Sequence, residues 1–209
     1  MINGSPKIKD SCSEYLIDEI TKLLDNKTEV TVCNASDKTL NKGQFNSIYN
    51  CDAIVFVFPL YVDAIPSHLI SFLEAFQKYL KEQPVKNISA YAVSNCGFFE
   101  GNQNKYALDI IENYCERTGL IWKYGLGIGA GPFIGESKSI SWKTFIKKPV
   151  FNAMLDFKNS LETGEHPNGN IFVTAKIPRH MYIWAAHIGW RKQAKKNNLK
   201  TKDLYTKLK

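Results

Sequence analysis

The chain has 209 residues, 44% of them apolar and 22% charged, with a net charge of +7. That length carries one sizeable core, and the balance is ordinary for a globular protein. No apolar run reaches the roughly 18 residues of a membrane helix, and the beginning shows neither charged leader nor apolar signal core, so a cytoplasmic protein without membrane association is expected.

Met1-Ile2-Asn3-Gly4-Ser5-Pro6-Lys7 reads as the end of a strand running into a polar loop that continues through Ile8 to Asp10. Leu16, Ile20, Leu23 and Leu24 then repeat at helical spacing, with Glu14, Asp18, Glu19 and Lys22 largely off that stripe. Ser11 or Ser13 caps this helix. A helix N-terminus offers free N–H groups and the positive end of a dipole, which together attract anions. Ser5, Lys7, Ser11 and Ser13 add hydroxyls and a cation there. Two readings stay open: a phosphate site, or serines that only cap a helix and shape a turn.

Glu29 to Asn34 reads as a second short strand and Asn41 to Asn50 as a short helix. Ala53 to Phe58 is an unbroken apolar run rich in β-branched and aromatic residues. It suits a central parallel strand covered on both faces. Pro59 ends it, and Pro66 falls in the first turn of the next helix. Between the prolines, Leu60 to Ile65 forms a short loop at the carboxyl end of a buried strand, where open α/β sheets bind ligands. The loop carries the ring of Tyr61, the carboxylate of Asp63 and apolar groups.

Leu69, Leu73, Phe76 and Leu80 mark one face of a long helix, with Pro84 beyond its end. Ile88 to Ser94 is a fourth strand, running into a loop from Asn95 to Asn104 with two glycines and two aromatics. Ala107, Ile111 and Tyr114 or Cys115 give the next helix, which Gly119 stops. Leu120 to Ile128 is a fifth strand. The glycine-rich Gly127 to Pro132 loop opens no helix in a first βα unit and so is no dinucleotide fingerprint. Its glycines let backbone approach a ligand or a neighbouring loop. Ile140 to Leu161 is expected as a last covering helix, broken or kinked by Pro149 near Lys148. After a polar linker, Thr163 to Asn170, comes a short apolar piece, Ile171 to Thr174. Pro178 opens a final helix with Met181, Trp184, Ala185 and Ile188 on one side. Packing on the domain, or a role in a dimer or over a ligand, are both open for it. Alternation of strand and helix specifies a doubly wound parallel sheet. The expected division is a domain over 1–160, then a linker and C-terminal helical extension over 161–209.

Cys12, Cys33, Cys51, Cys96 and Cys115 are irregularly spaced, with no C-x-x-C pair. That argues against a zinc site, an iron–sulfur cluster or a disulfide framework. His68, His166, His180 and His187 lack a second ligand at metal spacing, so no metal site is expected. Much of the positive excess lies in Arg191, Lys192, Lys195, Lys196, Lys200, Lys202, Lys207 and Lys209. A solvated basic tail accounts for it, and no zinc-finger or RNA-recognition signature points to nucleic acid.

With these loops placed, the chain resembles the flavodoxin-fold NAD(P)H-dependent FMN reductases over roughly residues 1 to 130. Asn3-Gly-Ser-Pro-Lys7 with Ser11-Cys12-Ser13 resembles that family's FMN phosphate loop. Phe58-Pro-Leu-Tyr-Val-Asp-Ala-Ile-Pro66 resembles the Pro-x-Tyr loop beside the isoalloxazine, and Asn95-Cys-Gly-Phe-Phe-Glu-Gly101 the second flavin loop. Pro178-Arg-His-Met-Tyr182 and Gly189-Trp-Arg191 are similar to a bacterial subgroup only. The resemblance implies a five-stranded sheet of order 2-1-3-4-5, and FMN held at its phosphate by Ser5, Lys7, Ser11, Cys12 and Ser13. Pro59, Leu60, Tyr61 and Val62 would line one edge of the ring system, with Asn95, Cys96, Gly97 and Phe98 on the other side. It implies hydride transfer from NADH or NADPH to a quinone, flavin or similar small-molecule acceptor, and a homodimer. No acid, base or nucleophile is then required, and no catalytic residue is assigned.

Two departures stand out. Asp10-Ser11-Cys12 replaces the family's usual Gly-Asn-Thr/Ser, placing a negative charge near a phosphate unless the Asp10 side chain points away. Only Met1 and Ile2 precede Asn-Gly-Ser-Pro, although the first strand is interior in such a sheet; a natural start upstream of Met1 is expected. Two other functions share the fold. A flavodoxin-type electron carrier is disfavoured by the basic charge, since such carriers are usually acidic. A flavin-free binding module is the other.

Overall fold

A computed structural model describes residues 1–7, 9–37 and 41–206. Ile8, Lys207 and Lys209, which the sequence places in the first loop and the basic tail, lie outside the described residues.

The chain runs β1 (Ile2–Asn3), α1 (Cys12–Leu23), β2 (Cys33–Asn34), α2 (Lys42–Tyr49), β3 (Ala53–Pro59), α3 (Ser67–Leu80), β4 (Ser89–Asn95), α4 (Lys105–Thr118), β5 (Ile121–Ile128), α5 (Gly131–Glu136), α6 (Lys148–Thr163), β6 (Ile171–Val173) and α7 (Arg179–Lys196). All pairings are parallel, in the order β2-β1-β3-β4-β5-β6. The expected order of the first five strands therefore holds, and a sixth is added. Ile171–Val173, read from sequence only as a short apolar piece, pairs with Leu126–Ile128. Its shortness and its two exposed side chains, Ile171 and Phe172, explain the weak signal.

The alternating apolar residues of β3 feed two cores. Ile54, Phe56 and Phe58 pack with Phe45 and Ile48 of α2, Leu69, Phe72 and Phe76 of α3, and Leu108 and Ile111 of α4. Val55 and Val57 pack on the other face with Leu16, Ile17 and Ile20 of α1 and Val150, Met154 and Phe157 of α6. A strand buried on both faces reads as a continuous apolar run, and β3 does.

Two elements differ from the sequence reading. β2 covers only Cys33–Asn34 rather than Glu29 to Asn34, because its neighbour β1 offers only Ile2 and Asn3 for pairing. β1 likewise meets β3 only at Phe56 and Val57, so Ala53 to Val55 pair on the β4 side alone. The covering helix begins at Lys148, not Ile140, and Pro149 sits in its first turn, where the absent N–H is harmless, rather than kinking it. Residues 140–147 are turns.

Met1–Ala175 form one compact unit and the chain from Lys176 onward a second. Within the second, α7 exposes Met181, Trp184 and Trp190, and a short 3-10 turn, Thr201–Tyr205, follows it. Among the described residues no helix is long and apolar enough to cross a membrane, and no cluster of His, Cys, Asp and Glu could hold a metal ion.

Candidate functional site at the carboxyl ends of β1, β3 and β4

β1 leaves the sheet at Gly4, where any Cβ would lie 2.8 Å from Leu69 Cδ2 and 2.9 Å from Phe58 Cβ. The Gly4 amide donates to Val57 O at 2.8 Å, and its carbonyl lies 3.0 Å from His68 Nε2 on α3. Beyond it, short polar side chains bond backbone two residues on, the habit that makes them turn formers. Asn3 Oδ1 accepts from Ser5 N at 3.0 Å and Ser5 Oγ from Lys7 N at 3.2 Å, while Lys7 Nζ donates to Asp10 O at 2.9 Å. Asp10 adopts the left-handed conformation (φ 54°), which Asp tolerates better than most. Its exposed carboxylate sits 3.5 Å from Lys138 Nζ, an ion pair that offsets part of its charge.

Ser11 is the cap of α1, its Oγ accepting from Glu14 N at 3.0 Å. Ser13 is buried and its Oγ accepts from Asn95 Nδ2 at 3.0 Å. Ser5, Ser11 and Ser13 are thus all acceptors within the fold, and among the described residues none of the three donates. A hydroxyl has one proton to give. Each hydroxyl keeps one proton, and these, with the free first-turn amides of α1, are donors whose complement is an oxyanion such as phosphate. Cys12 lies under this turn against Gly135 of α5, and burial pushes its thiol up to about 12.

The second loop begins where Leu60 N donates to Asn95 O at 2.8 Å. Tyr61 and Ala64 exchange both backbone bonds at 2.9 Å, closing a two-residue turn on Val62 (φ 49°) and Asp63 (φ 59°). That is the positive-φ pairing of a type I′ turn, which normally selects Asn-Gly and which a β-branched residue enters only under strain. Tyr61 is half exposed and Val62 is 96% exposed. The turn therefore holds an aromatic ring and an aliphatic tip out of the sheet.

The third loop is locked from beneath. Asn104 is fully buried; its Nδ2 donates to Gly101 O at 2.9 Å and Ile128 O at 3.3 Å and reaches Cys96 Sγ at 3.3 Å, while its Oδ1 accepts from Ser94 Oγ at 2.8 Å. Cys96 N donates to Ile128 O, Gly131 N to Cys96 O and Ala130 N to Phe98 O. A Cβ on Gly129 would stand 2.2 Å from Phe99 O, so the glycines after β5 admit a neighbouring loop. Thr174, just past β6, accepts from Gly101 N at 3.1 Å and donates to Phe99 O at 2.9 Å. Cys96 Sγ faces this interior, and burial raises its pKa. Gly97 and Phe98 are exposed at the loop's outer side.

Hydrogen bonds between loops bring Ser13, Leu60 and Asn95 into one place, and Gly4 joins them through Phe58 and His68. Asn95 faces inward, binding Ser13 Oγ and Phe58 O, rather than outward with Gly97 and Phe98. Sequence reasoning missed His68, Asn104, Lys138 and Thr174. Only Thr174 had a usable signal, the apolar triplet before it; His68 and Lys138 bond across 64 and 128 residues, which periodicity cannot register, and Asn104 is one polar residue at the end of a polar loop. A cavity of about 220 Å³, lined by Thr31, Val32, Gln44, Ser47 and Ile54 among others, lies beside β2, α2 and the start of β3 and shares no residue with the three loops.

No family model matches the chain, and no curated protein matches it. Among solved structures it is similar to an NADPH-quinone reductase from P. pentosaceus, with 14% identity over 78% of this chain and 96% of that one, at a TM-score of 0.57. It is also similar to a flavone reductase, with 11% identity over 87% of this chain and 68% of that one, at a TM-score of 0.55. These likenesses are of fold: the chain has the flavodoxin-like architecture that its motifs resemble.

Proposed function

We propose that the chain binds FMN on the three loops and passes hydride from NADH or NADPH to a quinone, flavin or similar small acceptor. One observation carries this reading: a cradle of hydroxyl and amide donors at the end of β1 meets, through Asn95, two further loops at the ends of β3 and β4. Ligands of doubly wound sheets bind at that edge. The residues present fit the cofactor. Ser5, Ser11, Ser13 and the first-turn amides of α1, with Lys7 nearby, would take the phosphate, whose dianion matches a donor-only surface. Tyr61 and Val62 on one side, and Gly97 and Phe98 on the other, would border the ring system. Bound FMN supplies the redox chemistry by accepting and releasing hydride. The protein's part is to bind and orient it, shield the ring and admit reductant and acceptor in turn.

The family's reductase activity supports this over the electron-carrier reading, as does the net charge of +7. The test is colour. Protein reconstituted with FMN and handled anaerobically should bleach when NADH or NADPH is added, and recover colour with a quinone. Bound FMN that neither nicotinamide bleaches would instead mark a carrier. Absence of FMN binding at tens of micromolar would overturn both.

A further inference from the structure

Asn95 ends β4, and two of its polar groups make three bonds to three different places. Its carbonyl accepts from Leu60 N at 2.8 Å. Its side-chain Nδ2 spends both protons, on Phe58 O at 3.1 Å and on Ser13 Oγ at 3.0 Å. One buried residue thus joins the first turn of α1, the exit of β3 and the start of the loop after β4, across sequence separations of 82 and 37 residues. Phe58 O can only accept, so that arm is met by an amide and not by an ionised carboxylate, whereas the Ser13 hydroxyl can also turn its own proton toward its partner.

We infer that Asn95 is a positioning residue, the brace that holds the phosphate cradle in register with the Pro59–Ile65 loop, rather than a group that contacts the flavin. The inference rests on the proposed FMN site for its binding consequence but not for its structural one. In Asn95→Asp the side chain keeps its shape and loses both donors. The carboxylate then faces the Phe58 carbonyl, and desolvation beside an acceptor favours its protonated form. Protonation restores one donor. The Phe58 arm is therefore lost at high pH and partly recovered at low pH, a profile that lost packing alone does not produce, while the Ser13 hydroxyl can donate to the carboxylate and keep the other arm.

Two measurements separate this inference from the functional reading. Amide hydrogen exchange on protein without flavin should show the Ser11–Tyr15 and Pro59–Ile65 segments accelerating together in Asn95→Leu, which removes both arms, with the β4 core unchanged. FMN titration of Asn95→Asp should show affinity about tenfold weaker than the parent at pH 8, with the ratio shrinking several-fold by pH 5.5. Ser13→Ala, which breaks one arm and leaves the other, should accelerate exchange in Ser11–Tyr15 only. If the parent binds no FMN yet Asn95→Leu loosens both segments together, the functional reading falls and the brace stands. If Asn95→Leu exchanges like the parent, or the affinity deficit of Asn95→Asp is the same at both pH values, the brace is refuted. Should Asn95→Leu fail to fold, Ser13→Ala decides: unchanged exchange in Ser11–Tyr15 refutes the brace.

Discussion

Lys147 is the one fully buried lysine side chain among the described residues, and every donor it has is used. Its Nζ reaches Ser137 O at 2.9 Å, Ile140 O at 3.2 Å and Tyr15 Oη at 3.5 Å, and lies 4.2 Å from the Trp142 ring centroid. Lys147→Met keeps the volume and strands two carbonyls, which should cost about 1–3 kcal/mol in urea unfolding. Burial lowers this ammonium's pKa below its ordinary 10.5. Between the lowered value and 10.5 the unfolded chain binds more protons, so stability relative to Lys147→Met rises with pH in that window. Thiols give a second residue-scale test. Burial pushes Cys12 and Cys115 up to about 12, leaving about one thiolate in ten thousand at pH 8. Iodoacetamide at pH 8 should spare both in folded protein and label both in urea, as mass spectrometry would read; rapid labelling of the folded protein would contradict the raised pKa values. At the flavin loop, Tyr61→Ala should weaken FMN retention, whereas Asp63→Asn should do so far less. What sequence left open here was the partners of side chains: Ser11 or Ser13 as cap, and the ion pair of Asp10. Helical spacing names candidates within a turn, but bonds from Asn95 and Lys138, over 80 residues away, decide among them.

Among elements, the β3–α3 turn and the glycine seam after β5 show strain and close approach being used differently. Val62 and Asp63 hold a left-handed pair that Asn-Gly would adopt freely. Replacing them with Asn and Gly should raise stability by about 1–2 kcal/mol in chemical denaturation. No such relief exists at Gly129, where a methyl group would meet Phe99 O at 2.2 Å. Gly129→Ala should destabilise by about 2 kcal/mol or more and disturb the loop after β4 first. Long strongly patterned elements were legible: β3 from its apolar run, α3 and α4 from their stripes. Short ones were not. β6 is three residues long and half exposed, β2 is limited by its neighbour's length, and Pro149 fits helix start and helix break equally until the preceding turns are seen.

At the scale of the molecule, the doubly wound sheet follows from alternation alone, and the site follows from where the loops leave it. Three segments separated by dozens of residues converge because β1, β3 and β4 are adjacent and parallel, so their exits share an edge. Sequence located all three loops. It did not show that Asn95 joins them or that three serine hydroxyls point their acceptors inward, since both depend on atoms rather than on residue order. The central claim is that this edge is an FMN site, and a fluorescence titration of FMN tests it most directly. The parent should quench flavin emission with one-to-one stoichiometry, and Ser5→Ala combined with Ser11→Ala should weaken binding about tenfold or more while the far-ultraviolet dichroism stays unchanged. Emission unquenched at tens of micromolar protein, or affinity indifferent to loss of both serines, would contradict it.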